Sequence, residues 1–230
     1  MRKPPHNGCP CPSCVPLDCA ADEIRYDVSM AFTIEEAFLP ATLTSPRMTD
    51  EQFSAFCAEH PDLFFETTAD GEIIVMPPNF SLTSIRNREI TSQLDRWAAV
   101  DGRGFVGESS GGYLLPNGAR RSPDACWIAK EAIRQLPAES LESYWHLCPA
   151  FVIELRSSSD RLPVLRAKMR EYLENGAELG WLIDPETRTV EIYRQGKEPE
   201  LQAGIFSVAG EGPVEGFVLE LKTVWDPFSR

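Results

Sequence analysis

The sequence predicts an α/β (α+β) fold, and two stretches carry that expectation. The first runs from Phe151 to Pro185. Phe151 to Leu155 is a short apolar run of β-forming residues and reads as a buried strand. Ser157, Ser158, Ser159 and Asp160 are good helix N-caps. Leu162, Leu165, Met169, Tyr172 and Leu173 then recur at helical spacing, and Asn175-Gly176 closes the helix. Leu179 to Ile183 is a second apolar strand. Strand, helix and strand with short links predict a crossover unit. The second stretch is a hairpin, with Leu63 to Thr67 and Glu72 to Met76 flanking Ala69-Asp70-Gly71.

Taken in order, the chain begins with Met1 to Asp27, rich in Pro and Cys and without apolar period. It reads as a disordered arm, so the expected organisation is an arm over residues 1–29 and a single domain over 30–230. Cys9, Cys11, Cys14 and Cys19 crowd into this arm. Cys11-Pro-Ser-Cys14 has the spacing of half a zinc site, but a usual ribbon separates its cysteine pairs by a longer loop. Thr49 to His60 reads as a helix capped by Thr49 or Asp50. Pro77-Pro78 breaks the hairpin's second strand. Ser81 to Val100 is a long helix with Leu82, Ile90, Leu94 and Trp97 on one face. Arg86 shares that face with Glu89 at its edge, which suits a structural salt bridge. Gly104 to Val106, Gly112 to Leu115 and Ala125 to Ile128 are strand candidates, and Glu131 to Leu136 is a short helix. Thr189 to Tyr193 pairs with Leu179 to Ile183. Ile205 to Val208 and Phe217 to Leu221 read as edge strands.

The 230 residues suffice for one sizeable core. With 43% hydrophobic and 25% charged residues, the composition is that of an ordinary globular protein. No apolar run has the length to span a bilayer, and the N-terminus lacks the apolar core of a signal peptide, so a cytoplasmic location is expected. The formal charge of −13 counts against binding nucleic acid by bulk attraction. A nucleic-acid site would need local basic groups or metal ions. Seven cysteines, an odd number, argue against a disulfide framework. Cys57, Cys126 and Cys148 lie in apolar contexts and are expected to be buried free thiols.

Three groups carry candidate chemistry: Asp124 at the start of a strand, Glu154 inside one, and Lys168 bordering the apolar stripe of the following helix. A carboxylate in a buried strand is costly unless a metal or a basic partner compensates it. Two carboxylates on neighbouring strands make a hard oxygen site suited to magnesium or manganese. A nearby lysine orients a nucleophile or steadies developing negative charge. Phosphodiester hydrolysis uses all of these and needs no histidine. His6, His60 and His146 stand in no motif. The spacing also admits a plain structural reading: a strand-capping Asp124, a salt-bridged Glu154 and a solvated Lys168.

Several segments resemble one known family. They are Ser122-Pro123-Asp124, Val152-Ile153-Glu154-Leu155-Arg156-Ser157-Ser158-Ser159-Asp160, Lys168-Met169-Arg170-Glu171-Tyr172, Gly180-Trp181-Leu182-Ile183-Asp184-Pro185, and the earlier Gly71 to Pro78. In this order they resemble the Uma-two family, endonucleases of the PD-(D/E)xK type. The likeness covers roughly Thr49 to Leu221 and leaves the arm outside. It implies a restriction-endonuclease-like core, a mixed central β-sheet flanked by helices. It implies Asp124, Glu154 and the main-chain carbonyl of Leu155 as ligands of Mg2+ (or Mn2+), with Lys168 as the family lysine moved from strand to helix. Arg156 holds the usual strand position of that lysine. Ser158 stands where many members have proline. Thr83 or Ser84 stands where members often carry a histidine.

The first expectation is a magnesium-dependent endonuclease acting on DNA, with Asp124, Glu154 and Lys168 catalytic. Arg86, Arg120, Arg121 and Arg156 are candidates for phosphate contacts. A homodimer would place two sites on two strands. The alternatives are a nuclease-fold binding or regulatory module without activity, and a function seated in the cysteine-rich arm.

Overall fold

In the computed structural model, residues 41–76 and 80–229 are described. The arm and its four cysteines lie outside them. Thirteen strands and five α-helices make up the described residues. Phe64–Thr67 (β2) and Ile73–Met76 (β3) form the hairpin. Ala41–Leu43 (β1) flanks β3. Tyr113–Leu114 (β5) and Arg120–Arg121 (β6) extend the other edge through β2. The order of this smaller sheet is β1-β3-β2-β6-β5. Asp50–Glu59 (α1) opens with a reciprocal capping box between Thr49 and Gln52, so Thr49 is the cap.

The central sheet has six strands. They are Gly104–Glu108 (β4), Ala125–Ala129 (β7), Phe151–Leu155 (β8), Leu179–Asp184 (β9), Thr189–Arg194 (β10) and Glu200–Ala203 (β11). Their order is β11-β10-β9-β8-β7-β4. Only β8 and β9 run parallel, joined by the crossover helix Leu162–Glu174 (α4); the sheet is mixed. Residues of β8 alternate between its two faces. Phe151, Ile153 and Leu155 join the core beneath Ser81–Asp101 (α2). There Trp181 stacks on Phe217 at 5.8 Å, with Phe151 edge-on to Trp181 at 4.8 Å. Val152 turns to the opposite face, against Leu165, Met169 and Tyr172 of α4. Glu154 shares the side of Val152.

Three expectations are corrected. The serines after β8 do not cap α4. The helix starts at Leu162 after Arg161, with no side-chain cap and proline in its first turn. Ser157 and Asp160 close a turn of their own, the carboxylate accepting both the N–H and the hydroxyl of Ser157 at 2.7 Å. The segments expected as edge strands, Ser207–Ala209 (β12) and Val218–Glu220 (β13), pair with each other in a separate ribbon. Val208 and Leu219 of this ribbon seal the α2 side of the core. The edges of the central sheet are β11 and β4. Of the three cysteines outside the arm, Cys126 alone is fully buried, although all are free. No described helix is long and apolar enough to cross a membrane.

Candidate active site

β7 and β8 pair antiparallel with Ala125 opposite Ile153. One step further along that register, Asp124 stands across from Glu154. Like charges in cross-strand positions repel, so such a pair needs a cation. The cation present is Lys168. Its amine lies 2.8 Å from Glu154 Oε1 and 2.8 Å from Glu66 Oε1. Its neighbours on α4 point elsewhere: Arg166 pairs with Glu191 at 2.5 Å, and Arg170 is exposed. The side chain of Tyr172, one turn after Lys168, donates its hydroxyl to Glu154 Oε1 at 3.0 Å. Asp124 accepts the main-chain N–H of Leu155 at 2.8 Å on one oxygen and the Asn87 amide at 2.7 Å on the other. The sheet, α4 and α2 therefore all fix this pair.

These surroundings set the charges. Burial pushes the Glu154 carboxyl up to about 8; Lys168 opposes the rise, and Asp124 and Glu66 add to it. Burial raises Asp124 as well, against the pull of the Leu155 N–H and Lys168. Burial alone would lower Lys168, but Glu154 and Glu66 outweigh it and hold the amine protonated above its ordinary range. Glu66 behaves oppositely to Glu154. Burial would raise it, yet Lys168 and Arg121 together hold it below the ordinary value.

Glu66, Arg121, Asp124, Glu154 and Lys168 line one cleft of about 590 Å³, between the smaller sheet and α4. The donors present suit a hard divalent cation. Asp124, Glu154 and the Leu155 carbonyl would supply oxygen ligands, and the contacts of Tyr172 and Lys168 both fall on Oε1 of Glu154, not on Oε2. Asn87 Oδ1 is buried beside Asp124 with no partner among the described residues, and a water on such a cation would satisfy it. No group of three or more His, Cys, Asp or Glu among the described residues makes a closed metal cage. An open site of two carboxylates is what the cleft offers.

The four arginines expected at phosphates are mostly committed elsewhere. Arg86 donates to the carbonyls of Val224 and Trp225, at the end of the short helix Lys222–Trp225 (α5). Glu89 accepts from Gln93. Arg120 is buried over the Phe53 ring and pairs with Asp50 at 2.5 Å. Arg121 is buried between Glu66 and Glu171, at 3.0 and 2.6 Å. Arg120 and Arg121 are thus paired with carboxylates inside the protein, and Arg86 is held by main-chain carbonyls. Arg156 pairs with Asp184 and Glu186, and its side chain keeps 21% of its surface open. Arg161, which the sequence reading did not single out, is exposed on the cleft wall.

Sequence reasoning also missed Glu66, Asn87 and the Tyr172 hydroxyl. Glu66 carried a usable signal, the same as Glu154: a lone carboxylate among β-forming residues. Asn87 carried a weaker one, an amide on the apolar face of α2.

A family model described as "Putative restriction endonuclease" matches residues 50–221. Among solved structures, the chain is similar to a crystal structure from Anabaena variabilis of "a putative nuclease belonging to DUF820". The identity is 18%, the TM-score 0.64, and the match covers 77% of this chain and 97% of that one. No curated protein matches.

Proposed function

Since the chain belongs to the Uma2 family, we propose that it is a divalent-metal-dependent endonuclease that hydrolyses phosphodiester bonds of DNA. The observation that carries this reading is the Asp124–Glu154 pair, set opposite each other with the Lys168 amine 2.8 Å from Glu154 in one cleft. Asp124, Glu154 and the Leu155 carbonyl would hold Mg2+ or Mn2+, which when bound supplies Lewis-acid neutralisation of the phosphate charge. The chain's own groups do the rest. Lys168 stays an ammonium, so it acts as a donor, orienting the nucleophile and steadying negative charge as it develops. Tyr172 fixes the rotamer of Glu154, and the Leu155 N–H and Asn87 fix Asp124, which holds both carboxylates in place before substrate arrives. Arg156 and Arg161 are the cations left for phosphate oxygens on either side.

The test is cleavage of supercoiled and linear DNA, with RNA in parallel, in magnesium or manganese beside Asp124→Ala. The wild type is expected to nick or cut DNA and Asp124→Ala to leave it intact. A wild type inert in both ions, yet still binding DNA, overturns this reading in favour of a nuclease-fold binding module. The charge of −13 and the internally paired arginines give that second reading its support. A homodimer, which two-strand cutting would use, is checked by sedimentation.

A further inference from the structure

Glu66 belongs to the smaller sheet, yet its carboxylate reaches the centre of the cleft. Oε1 lies 2.8 Å from the Lys168 amine and accepts the main-chain N–H of Ser122 at 2.9 Å. Oε2 accepts from Arg121 at 3.0 Å. One buried carboxylate thus touches the lysine and also the main chain two residues before Asp124.

Lys168 is therefore held between two carboxylates at equal distance, and the two are not equivalent. Glu154 is a candidate cation ligand. Once a divalent ion sits on Glu154, the ion repels the ammonium beside it, and a carboxylate engaged with the ion does not offset that repulsion. A lysine this buried cannot stay there unpaired. Glu66 is already saturated by a guanidinium, a main-chain N–H and the ammonium, and it lies outside the donor set of the cation. It is the partner that persists.

We infer that Glu66 is a positioning residue that anchors Lys168 in the cleft while Glu154 is committed to a divalent ion, and that ties this anchor through Ser122 to the segment that carries Asp124 into β7. The inference rests on the metal-dependent nuclease reading for its purpose, but its geometry is tested independently of cleavage.

The experiment uses the full chain and compares wild type, Glu66→Gln and Glu66→Asp. In the absence of nucleic acid, Lys168 is acetylated with acetic anhydride, with and without magnesium, and its modification rate is read by peptide mass spectrometry. The wild type is expected to stay protected in both conditions. Glu66→Gln keeps the shape and loses the charge. It is expected to be modified several-fold faster, because the amine has lost its second carboxylate and leaves the cleft more often, and faster again with magnesium. With DNA, kcat of Glu66→Gln is expected to fall roughly 100-fold, as for a misplaced catalytic group, while KM and manganese affinity hold. Glu66→Asp, which keeps the charge, regains part of both. An unchanged modification rate in Glu66→Gln overturns the inference, as does an unchanged kcat where the wild type cleaves. If Glu66→Gln does not fold, the wild type decides alone: protection that survives magnesium supports the anchor, and exposure by magnesium overturns it. If the wild type cleaves nothing, the nuclease reading fails while the acetylation result still judges the anchor.

Discussion

Glu154 is the residue where burial and charge conflict most, and its proton gives the conflict a measurable sign. Unfolded, its carboxyl titrates at the ordinary 4.5; folded without metal, it holds its proton up to about 8. In that window the folded chain binds more protons than the unfolded one, so metal-free stability falls as pH rises from 4.5 to about 8. Carboxyls held low, such as Glu66 and Asp184, act only below that window. Thermal melts across the range should show the decline, and Glu154→Gln should flatten it and melt higher at pH 8. A wild type whose melting temperature climbs steadily to pH 8 would contradict the buried-proton account. The same proton must leave before a cation binds, so manganese affinity should rise across the same window. Lys168 gives a second expectation. Lys168→Ala should abolish cleavage and leave manganese affinity largely intact, because the ligands remain. Lys168→Arg should also fail, because a guanidinium fork does not replace a compact ammonium; activity in either variant would remove Lys168 from the chemistry. Asp124, Glu154 and Lys168 were legible because each stands out within its own segment: after a proline, inside an apolar run, beside an apolar stripe. Glu66 and Asn87 each stand out locally too, as a lone carboxylate in a strand and an amide on an apolar helix face, but their meaning depends on β2 and α2 arriving at β8, and no local pattern reports that arrival.

Between elements, the strongest tie around the cleft is Arg121. From β6 it reaches Glu66 on β2 and Glu171 on α4, joining the smaller sheet to the crossover helix. Arg121→Met fills similar space but takes the cation from Glu171 and leaves the buried Glu66 with Lys168 alone. Removing one partner of a buried pair typically costs about 3–5 kcal/mol. Urea unfolding should show a loss of that order, with the slope unchanged; a loss near zero would mean that Lys168 alone suffices for Glu66. Elements specified locally were readable: the Thr49 cap, the hairpin about Asp70-Gly71, and the β8-α4-β9 crossover. Elements specified by distant partners were read less well. β12 and β13 look like sheet edges in sequence, but their partner is each other, a choice made by the apolar face of α2 that they cover. The start of α4 was misplaced because Ser157 and Asp160 have the chemistry of caps and spend it on their own turn.

At the scale of the whole molecule, the charge of −13 must be reconciled with a polyanionic substrate. Residues 1–29, the expected arm, carry too few large apolar residues for a core of their own. Deleting them should leave the melting temperature within a few degrees, roughly the effect of one weak interaction; a larger loss would show the arm packed or metal-bound. Around the cleft the domain presents few cations to phosphates. Three of the four arginines that the sequence put forward are spent on internal carbonyls and carboxylates. What is left near the cleft is Arg156, itself shared with Asp184 and Glu186, and the exposed Arg161. Affinity for duplex DNA without divalent ions should therefore be weak. It should also be only mildly sensitive to salt, because each phosphate neutralised contributes about −0.9 to the log–log slope, and two cations give roughly −2. Adding magnesium should strengthen binding by neutralising the carboxylate pair, and Asp124→Ala should lose most of that gain. Fluorescence anisotropy of Asp124→Ala and wild type across a potassium chloride series measures both effects. A slope near −6 in the metal-free wild type would mean that the grip comes from several more basic groups than the cleft presents, and that a second copy or another part of the chain holds the DNA.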